Sequence, residues 1–85
     1  MLLEFYGKEC PHCERMRPLV ERLQSETGVS VQRYEIWHNQ ENAAMMKEYD
    51  TNLCGGVPFF FNTESKEFLC GEASYDQLKV WAGKK

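Results

Sequence analysis

The tetrapeptide Cys10-Pro11-His12-Cys13 has the residue types and spacing most able to do chemistry in this sequence. Residues three apart on the first turn of a helix lie on one side, so these two sulfurs can form a disulfide. If Pro11 is the first residue of a helix, Cys10 lies near unpaired backbone N–H groups, which stabilise a thiolate. A protonated His12 would add positive charge. The motif therefore predicts thiol–disulfide exchange, in which Cys10 attacks and Cys13 resolves the mixed disulfide.

Other interpretations of the four cysteines stay open at this point. Cys10 and Cys13 could be buried structural thiols or half of a zinc site, although the sequence has no second Cys-x-x-Cys. For Cys54 and Cys70, two separate buried thiols rank first, because free cysteine behaves as a small hydrophobic residue. A structural or regulatory disulfide ranks second, and a four-thiolate metal or iron–sulfur site with Cys10 and Cys13 ranks third.

The sequence around the motif predicts a βαβ unit. Residues 1–7 form an almost unbroken apolar run, typical of a central strand covered on both faces. A helix that begins at Pro11 and ends at Gly28 carries one apolar stripe, formed by Met16, Leu19, Val20 and Leu23. Residues 31–37 are rich in β-forming types and indicate a second strand. A parallel, right-handed connection is expected between these two strands.

Two more helices and a hairpin complete the predicted fold. Asn39 is suited to cap a helix that ends near Tyr49, and Ser74 with Gln77 predicts a capping box for the last helix. Their inward residues are expected to be Met45, Met46, Tyr49, Leu78 and Trp81.

The predicted hairpin pairs residues 57–61 with residues 66–70 across a turn at 62–65, after a loop at 50–56. This register sets Phe59 opposite Phe68 and places Cys70 opposite Val57. The element order is then βαβ, α, ββα. It predicts one α/β domain over residues 1–85, with a mixed four-stranded sheet flanked by helices on both faces.

Composition excludes several classes of protein. The 85 residues carry a net charge of −3, which argues against a nucleic-acid or anionic-membrane binder. No apolar run approaches the roughly 18 residues of a membrane span. Glu4 follows Met1-Leu2-Leu3 at once, unlike the start of a secretory signal. We therefore expect a cytoplasmic monomer whose cysteines serve redox or metal chemistry.

Four segments of the sequence resemble the thioredoxin superfamily. The run Phe5-Tyr6-Gly7-Lys8-Glu9-Cys10 is similar to the aromatic approach to the thioredoxin active site, and Pro18 falls where that family has a helix-kinking proline. Gly56-Val57-Pro58 resembles the cis-proline loop, and residues 71–78 resemble the last strand-to-helix junction. The resemblance implies a minimal thioredoxin fold, of glutaredoxin size, without the extra N-terminal strand and helix. The Cys-Pro-His-Cys tetrapeptide is similar to that of periplasmic disulfide-oxidising enzymes of this fold.

The resemblance also implies roles for residues outside the motif. A cis Val57–Pro58 bond would present the backbone of Val57 to an extended thiol substrate. Glu4 matches the position where thioredoxins bury an Asp behind the active-site disulfide, and would accept the proton of Cys13. Burial inside an apolar strand should raise the pKa of that carboxyl. Lys8 could attract a glutathione carboxylate or increase the thiolate fraction, although a solvated surface lysine is equally consistent with its position.

The expected function is that of a thiol–disulfide oxidoreductase without an organic cofactor. Its partners would be disulfide-containing proteins or glutathione, with electrons from an unidentified reductase. One alternative is a glutathione-dependent glutaredoxin, although the tandem acids that glutaredoxins place after a Gly-Gly pair are absent near Gly71. A metal or iron–sulfur carrier using Cys10, Cys13, Cys54 and Cys70 is an alternative of another class. A binding module with vestigial cysteines is the third.

Overall fold

The chain folds into alternating strands and helices in the predicted order. A computed structural model describes residues 1–84, so Lys85, the last residue of the predicted domain, lies outside the described residues. The elements are β1 (Leu2–Tyr6), α1 (Pro11–Thr27), β2 (Val31–Glu35), α2 (Gln40–Tyr49), β3 (Phe59–Asn62), β4 (Phe68–Cys70) and α3 (Tyr75–Trp81). Among these residues, no helix has the length and apolarity needed to cross a membrane.

The described strands form one mixed sheet in the order β2-β1-β3-β4. Strand β1 pairs in parallel with β2 and antiparallel with β3, and β3 pairs antiparallel with β4. The parallel connection through α1 and the mixed sheet confirm the predicted architecture. Strand β1 lies inside the sheet, which explains why its sequence is almost continuously apolar.

Alternate residues of β1 and β3 enter two separate cores, because successive side chains of a strand point to opposite faces. Leu2 and Phe60 pack with residues of α1 and α3, and the rings of Phe60 and Trp81 lie 5.4 Å apart in an edge-on arrangement. Leu3 and Phe5 pack on the other face, together with Met46 of α2. The helices therefore cover both faces of the sheet, as predicted.

The helix ends follow the local signals in the sequence. The side chain of Asn39 accepts the N–H of Asn42 at 3.0 Å, and Ser74 forms the predicted capping box with Gln77. Gly28 ends α1 at φ 76°, a left-handed conformation that favours glycine. Helix α1 is continuous through Pro18.

The predicted register of the β3–β4 hairpin is wrong by two residues. Phe59 pairs with Cys70 and Phe61 with Phe68, so Val57 lies before the strand. The turn is longer than expected because the Asn62 carbonyl accepts the N–H of Lys66 at 2.8 Å, and Lys66 adopts a left-handed φ of 67°. These contacts keep Lys66 out of the ladder, and β4 begins only at Phe68.

Candidate active site

The Cys10-Pro11-His12-Cys13 motif joins β1 to α1, with Pro11 as the first residue of the helix. Cys10 is the N-cap residue, and its sulfur accepts the backbone N–H of Cys13 at 3.2 Å. A backbone donor aimed at the sulfur stabilises negative charge on it, as does the positive end of the helix. The helix start therefore places the Cys10 sulfur beside a backbone N–H group at the positive end of the helix.

The two thiols of the motif occupy different environments. Both are free and buried, with 3% of Cys10 and 2% of Cys13 exposed. Burial raises the pKa of the Cys13 thiol to about 12, helped by its contact with Cys10 and by the charge of Glu4, while a backbone hydrogen bond with Gly7 opposes the shift. At pH 7, a thiol with a pKa this high is protonated. Cys13 is therefore held protonated beside a sulfur that receives a hydrogen bond.

The loop before β3 contacts the motif from the far side. The Val57–Pro58 peptide bond is cis, as the resemblance implied. The carbonyl oxygen of Val57 lies 4.0 Å from the sulfur of Cys10, and the carbonyl of the buried Pro58 accepts the N–H of Gly71 at 2.8 Å. The backbone of Val57 therefore lies beside the leading cysteine sulfur.

Glu4 is fully buried in β1, as predicted. Burial raises the pKa of its carboxyl, although the charge and hydrogen bond of Arg33 oppose that shift. The Nε of Arg33 donates to Oε1 of Glu4 at 2.8 Å, whereas Oε2 has no hydrogen-bond partner among residues 1–84. A buried carboxylate oxygen with no donor is available to take a proton.

Arg33 is a partner of Glu4 that the sequence analysis missed. In the parallel pairing of β1 with β2, Arg33 lies directly opposite Glu4, and its guanidinium also covers the ring of Tyr6 at 4.3 Å. The strand alignment contained the signal: a basic residue falls at the third position of β2, opposite an acid at the third position of β1. Opposite charges directly across a ladder are favourable.

His12 is exposed, and its side chain contacts Glu72, a residue that the sequence analysis did not assign to the site. Its Nδ1 lies 2.5 Å from Oε2 of Glu72, and Nη1 of Arg15 donates to the same oxygen at 2.8 Å. Glu72 follows β4, so this contact joins the motif to the connection between β4 and α3. Hydrogen bonds with His12 and Arg15 hold the pKa of Glu72 below its usual value.

Glu35, at the end of β2, organises the loop on the other side of the motif. Its carboxylate accepts the backbone N–H groups of Lys8, Trp37 and His38 at 2.9, 3.1 and 2.8 Å. The side chain of Lys8 is exposed, and its contact with a glutathione carboxylate stays a prediction. Glu35 therefore ties the chain before Cys10 to the chain after β2.

Trp37 lies over Gly7 at the entrance to the motif. A Cβ atom added to Gly7 would be 2.3 Å from Cδ2 of Trp37, closer than atoms can approach. Trp37 is nevertheless 51% exposed, so one face of the ring covers the backbone and the rest meets solvent. Gly7 is required here because a side chain would occupy the position of the indole.

Replacing Gly7 by Ala should displace the Trp37 ring into solvent. The half-exposed ring can move, which costs less than the roughly 1–3 kcal/mol of overpacking a closed core. Quenching of tryptophan fluorescence by acrylamide should therefore increase, and the buried Trp81 contributes little to the change. Gly56→Ala is the matched control, because no described residue lies within 4 Å of the added Cβ. Equal quenching in both variants would contradict this placement of Trp37.

Cys54 and Cys70 form a disulfide, with their Cα atoms 5.5 Å apart. The first-ranked interpretation, two separate buried thiols, is therefore wrong. Pairing Phe59 with Cys70 brings the end of β4 beside the loop that holds Cys54. The four-thiolate metal site is inconsistent with this bond, because sulfurs bonded to each other are not available as thiolate ligands.

Comparisons with known proteins agree with the fold. The family model described as Thioredoxin matches residues 1–84. The chain belongs to the thioredoxin family. Among solved structures, this thioredoxin-family protein is similar to the glutaredoxin Grx-1 from Archaeoglobus fulgidus, with a TM-score of 0.66 and 19% sequence identity. That match covers 95% of this chain and 84% of the other, and it supports the minimal thioredoxin fold. A comparison with curated protein sequences finds no match.

Proposed function

We propose that this thioredoxin-family protein is a thiol–disulfide oxidoreductase that uses the Cys10–Cys13 pair. The observation that carries the proposal is the asymmetry of the two sulfurs. Cys10 accepts a backbone hydrogen bond at the helix N-terminus, whereas burial keeps Cys13 protonated beside it. Thiol–disulfide exchange needs one thiolate to attack and a second thiol held within reach for the next step.

The reaction begins with attack by the Cys10 thiolate on a substrate disulfide. A bond forms between Cys10 and one substrate sulfur, and the other substrate sulfur leaves as a thiolate. Cys13 then gives its proton to Oε2 of Glu4 and attacks the Cys10 sulfur, which releases the first substrate sulfur. The substrate gains two electrons and becomes a dithiol, and the Cys10–Cys13 pair becomes a disulfide. A reductant of the thiol class returns the pair to its starting state.

Val57 supports the docking of the substrate in this proposal. Its carbonyl oxygen is 4.0 Å from the attacking sulfur, so its backbone faces the motif. An extended segment beside the substrate disulfide could form main-chain hydrogen bonds there, independently of its side chains. Substrates with disulfides in extended, accessible segments fit this arrangement.

The proposed substrate is a protein disulfide or glutathione, and a separate reductase supplies the electrons. We further propose a monomeric state and a cytoplasmic location. The likeness to a glutaredoxin at 19% identity concerns the fold alone and does not favour glutathione.

The proposal is tested by measuring the reduction of insulin disulfides by dithiothreitol with and without the protein. Wild-type protein should accelerate the reaction, and the variant that lacks the Cys10 sulfur should not. A wild-type rate no greater than that of dithiothreitol alone would overturn the proposed function.

Replacing Glu4 by Gln should slow the second step more than the first. The amide cannot take the proton of Cys13, and general-base catalysis of this kind contributes about 10²-fold or more. The pKa of Cys13 should also fall from about 12, because the charge of Glu4 helps to raise it. Rapid mixing with a peptide disulfide, followed by acid quenching, measures how long the mixed disulfide on Cys10 survives.

Glu21→Gln is the matched control, since Glu21 is an exposed residue on α1. The control should resolve the mixed disulfide at the wild-type rate. If Glu4→Gln leaves the pH dependence of Cys13 reactivity unchanged, Glu4 has no part in the proton transfer.

A further inference from the structure

The Cys54–Cys70 disulfide lies on the surface, unlike the buried thiols of the motif. Cys54 belongs to the loop after α2 and is half-buried, and Cys70 is the exposed last residue of β4. Strand β4 is three residues long and lies at the edge of the sheet. An external thiolate can therefore reach the Cys70 sulfur without opening the core.

The residues that follow Cys70 contact the candidate active site directly. The N–H of Gly71 binds the carbonyl of Pro58 at 2.8 Å, and the carboxylate of Glu72 binds His12. Because the disulfide anchors the end of β4, it restrains the segment that makes both contacts.

The other half of the disulfide lies on the loop that leads to the cis-proline. Cys54 is three residues before Val57, whose carbonyl is 4.0 Å from the Cys10 sulfur. The bond thus links the two segments, one on each side of Pro58, that position the Val57 backbone against the motif.

The loop around Cys54 has a second support that does not depend on the disulfide. The carboxylate of Asp50 accepts the backbone N–H groups of Leu53, Cys54 and Gly55 at 2.9, 2.7 and 2.6 Å. The buried residues of both hydrophobic cores also come from other positions, and Cys54 packs only at the partly buried margin of one core. Opening the bond is therefore expected to release the short end of β4 and leave the domain folded.

We propose that Cys54–Cys70 is a second redox site, which dithiols reduce and which controls substrate docking at Cys10. One thiolate of the dithiol attacks the Cys70 sulfur, and Cys54 leaves as a thiolate. The second thiol of the dithiol then displaces Cys70. The dithiol is oxidised to a disulfide, and Cys54 and Cys70 receive two electrons and two protons. The reduced form no longer anchors Gly71 and Glu72, so the Val57 backbone is less well fixed for an incoming disulfide.

The first test isolates the second site in the Cys10→Ser/Cys13→Ser variant. The folded variant is incubated with dithiothreitol and alkylated with iodoacetamide, and its mass is then measured by mass spectrometry. Two alkylated cysteines are expected after dithiothreitol and none before it, with an unchanged far-UV circular dichroism spectrum. A bond that resists dithiothreitol until denaturant is added, or reduction that unfolds the chain, would overturn the proposal. This measurement does not depend on the proposed function.

The second test rests on the proposed function and compares wild-type protein with Cys54→Ser/Cys70→Ser. Exchange of Cys10 with a peptide disulfide should slow by about tenfold, a usual size for coupling between linked sites. Alkylation of Cys10 by iodoacetamide, which needs no docking, should change less than about twofold. Equal rates of peptide exchange in both proteins, or equal losses in both reactions, would contradict the coupling.

Cys54→Ala/Cys70→Ala provides the matched variant, since it removes the bond without adding hydroxyl groups. Both double variants should show the same loss of peptide exchange, and a loss in only one of them would assign the effect to the new side chain. If wild-type protein exchanges with no disulfide at all, the proposed function fails, while the alkylation pattern of the first test still decides whether the second site exists.

Discussion

Replacing Cys10 by Ser should reduce disulfide exchange by at least about 10³-fold, because the attacking sulfur is lost. A serine hydroxyl is not ionised at neutral pH, and the hydrogen bond from the Cys13 N–H does not make it a comparable nucleophile. Cys13 does not substitute for Cys10, since its thiol has a pKa of about 12 and stays protonated at neutral pH. The rate of insulin reduction with dithiothreitol measures the loss.

Cys13→Ser is the matched variant for Cys10→Ser. It retains the attacking sulfur and lacks the resolving one, so it should accumulate a mixed disulfide with the substrate, visible as a mass increase that a reductant removes. If Cys10→Ser reacts at the wild-type rate, or if the substrate is trapped on Cys13 instead, the assignment of the two roles is wrong.

Replacing Arg33 by Gln should lower the free energy of unfolding by about 3–5 kcal/mol at neutral pH. Arg33 forms an ion pair with Glu4, whose side chain is fully buried in the centre of the sheet. Without the guanidinium, the carboxylate remains in the core with no compensating charge. Urea unfolding measures the loss, and Arg17→Gln is the control because its ion pairs with Glu14 and Glu21 are exposed. A loss no greater than that of the control would show that the buried pair contributes little.

The loss caused by Arg33→Gln should shrink as the pH falls. Burial raises the pKa of the Glu4 carboxyl in the folded state above its ordinary value of 4.5. Protonation of Glu4 therefore stabilises the folded state fully below pH 4.5, and this stabilisation is lost as the pH rises through the folded-state pKa. Removing Arg33 removes the group that opposes this shift, so the folded-state pKa moves further up. The difference in free energy of unfolding between variant and wild type should therefore be smaller near pH 4.5 than at neutral pH. An equal loss of unfolding free energy at both pH values would contradict the charge of Glu4 as the cause of the destabilisation.

Local features of the fold could be predicted from the sequence because neighbouring residues determine them. Pro11 suits the first position of a helix, Asn39 and Ser74 offer acceptors to the first helical N–H groups, and Gly28 permits the left-handed turn that ends α1. The spacing of Cys10 and Cys13 likewise places both sulfurs on one helical turn. Such signals act within about four residues of the chain.

The cysteine motif is read directly from the sequence, which also predicts the element order and the burial of Glu4 in a continuously apolar strand. The groups that surround the motif and Glu4 come from distant parts of the chain and are seen only in the folded protein. Arg33 meets Glu4 through the parallel pairing of two strands, and Glu72 meets His12 across 60 residues of sequence. The sequence left the Cys54–Cys70 disulfide as one of three interpretations, and the structure shows that these two cysteines, 16 residues apart in sequence, are bonded. Contacts between distant residues depend on the register of the strands and on the paths of the loops. Both are set by the packing of the whole chain, so a short stretch of sequence does not determine them.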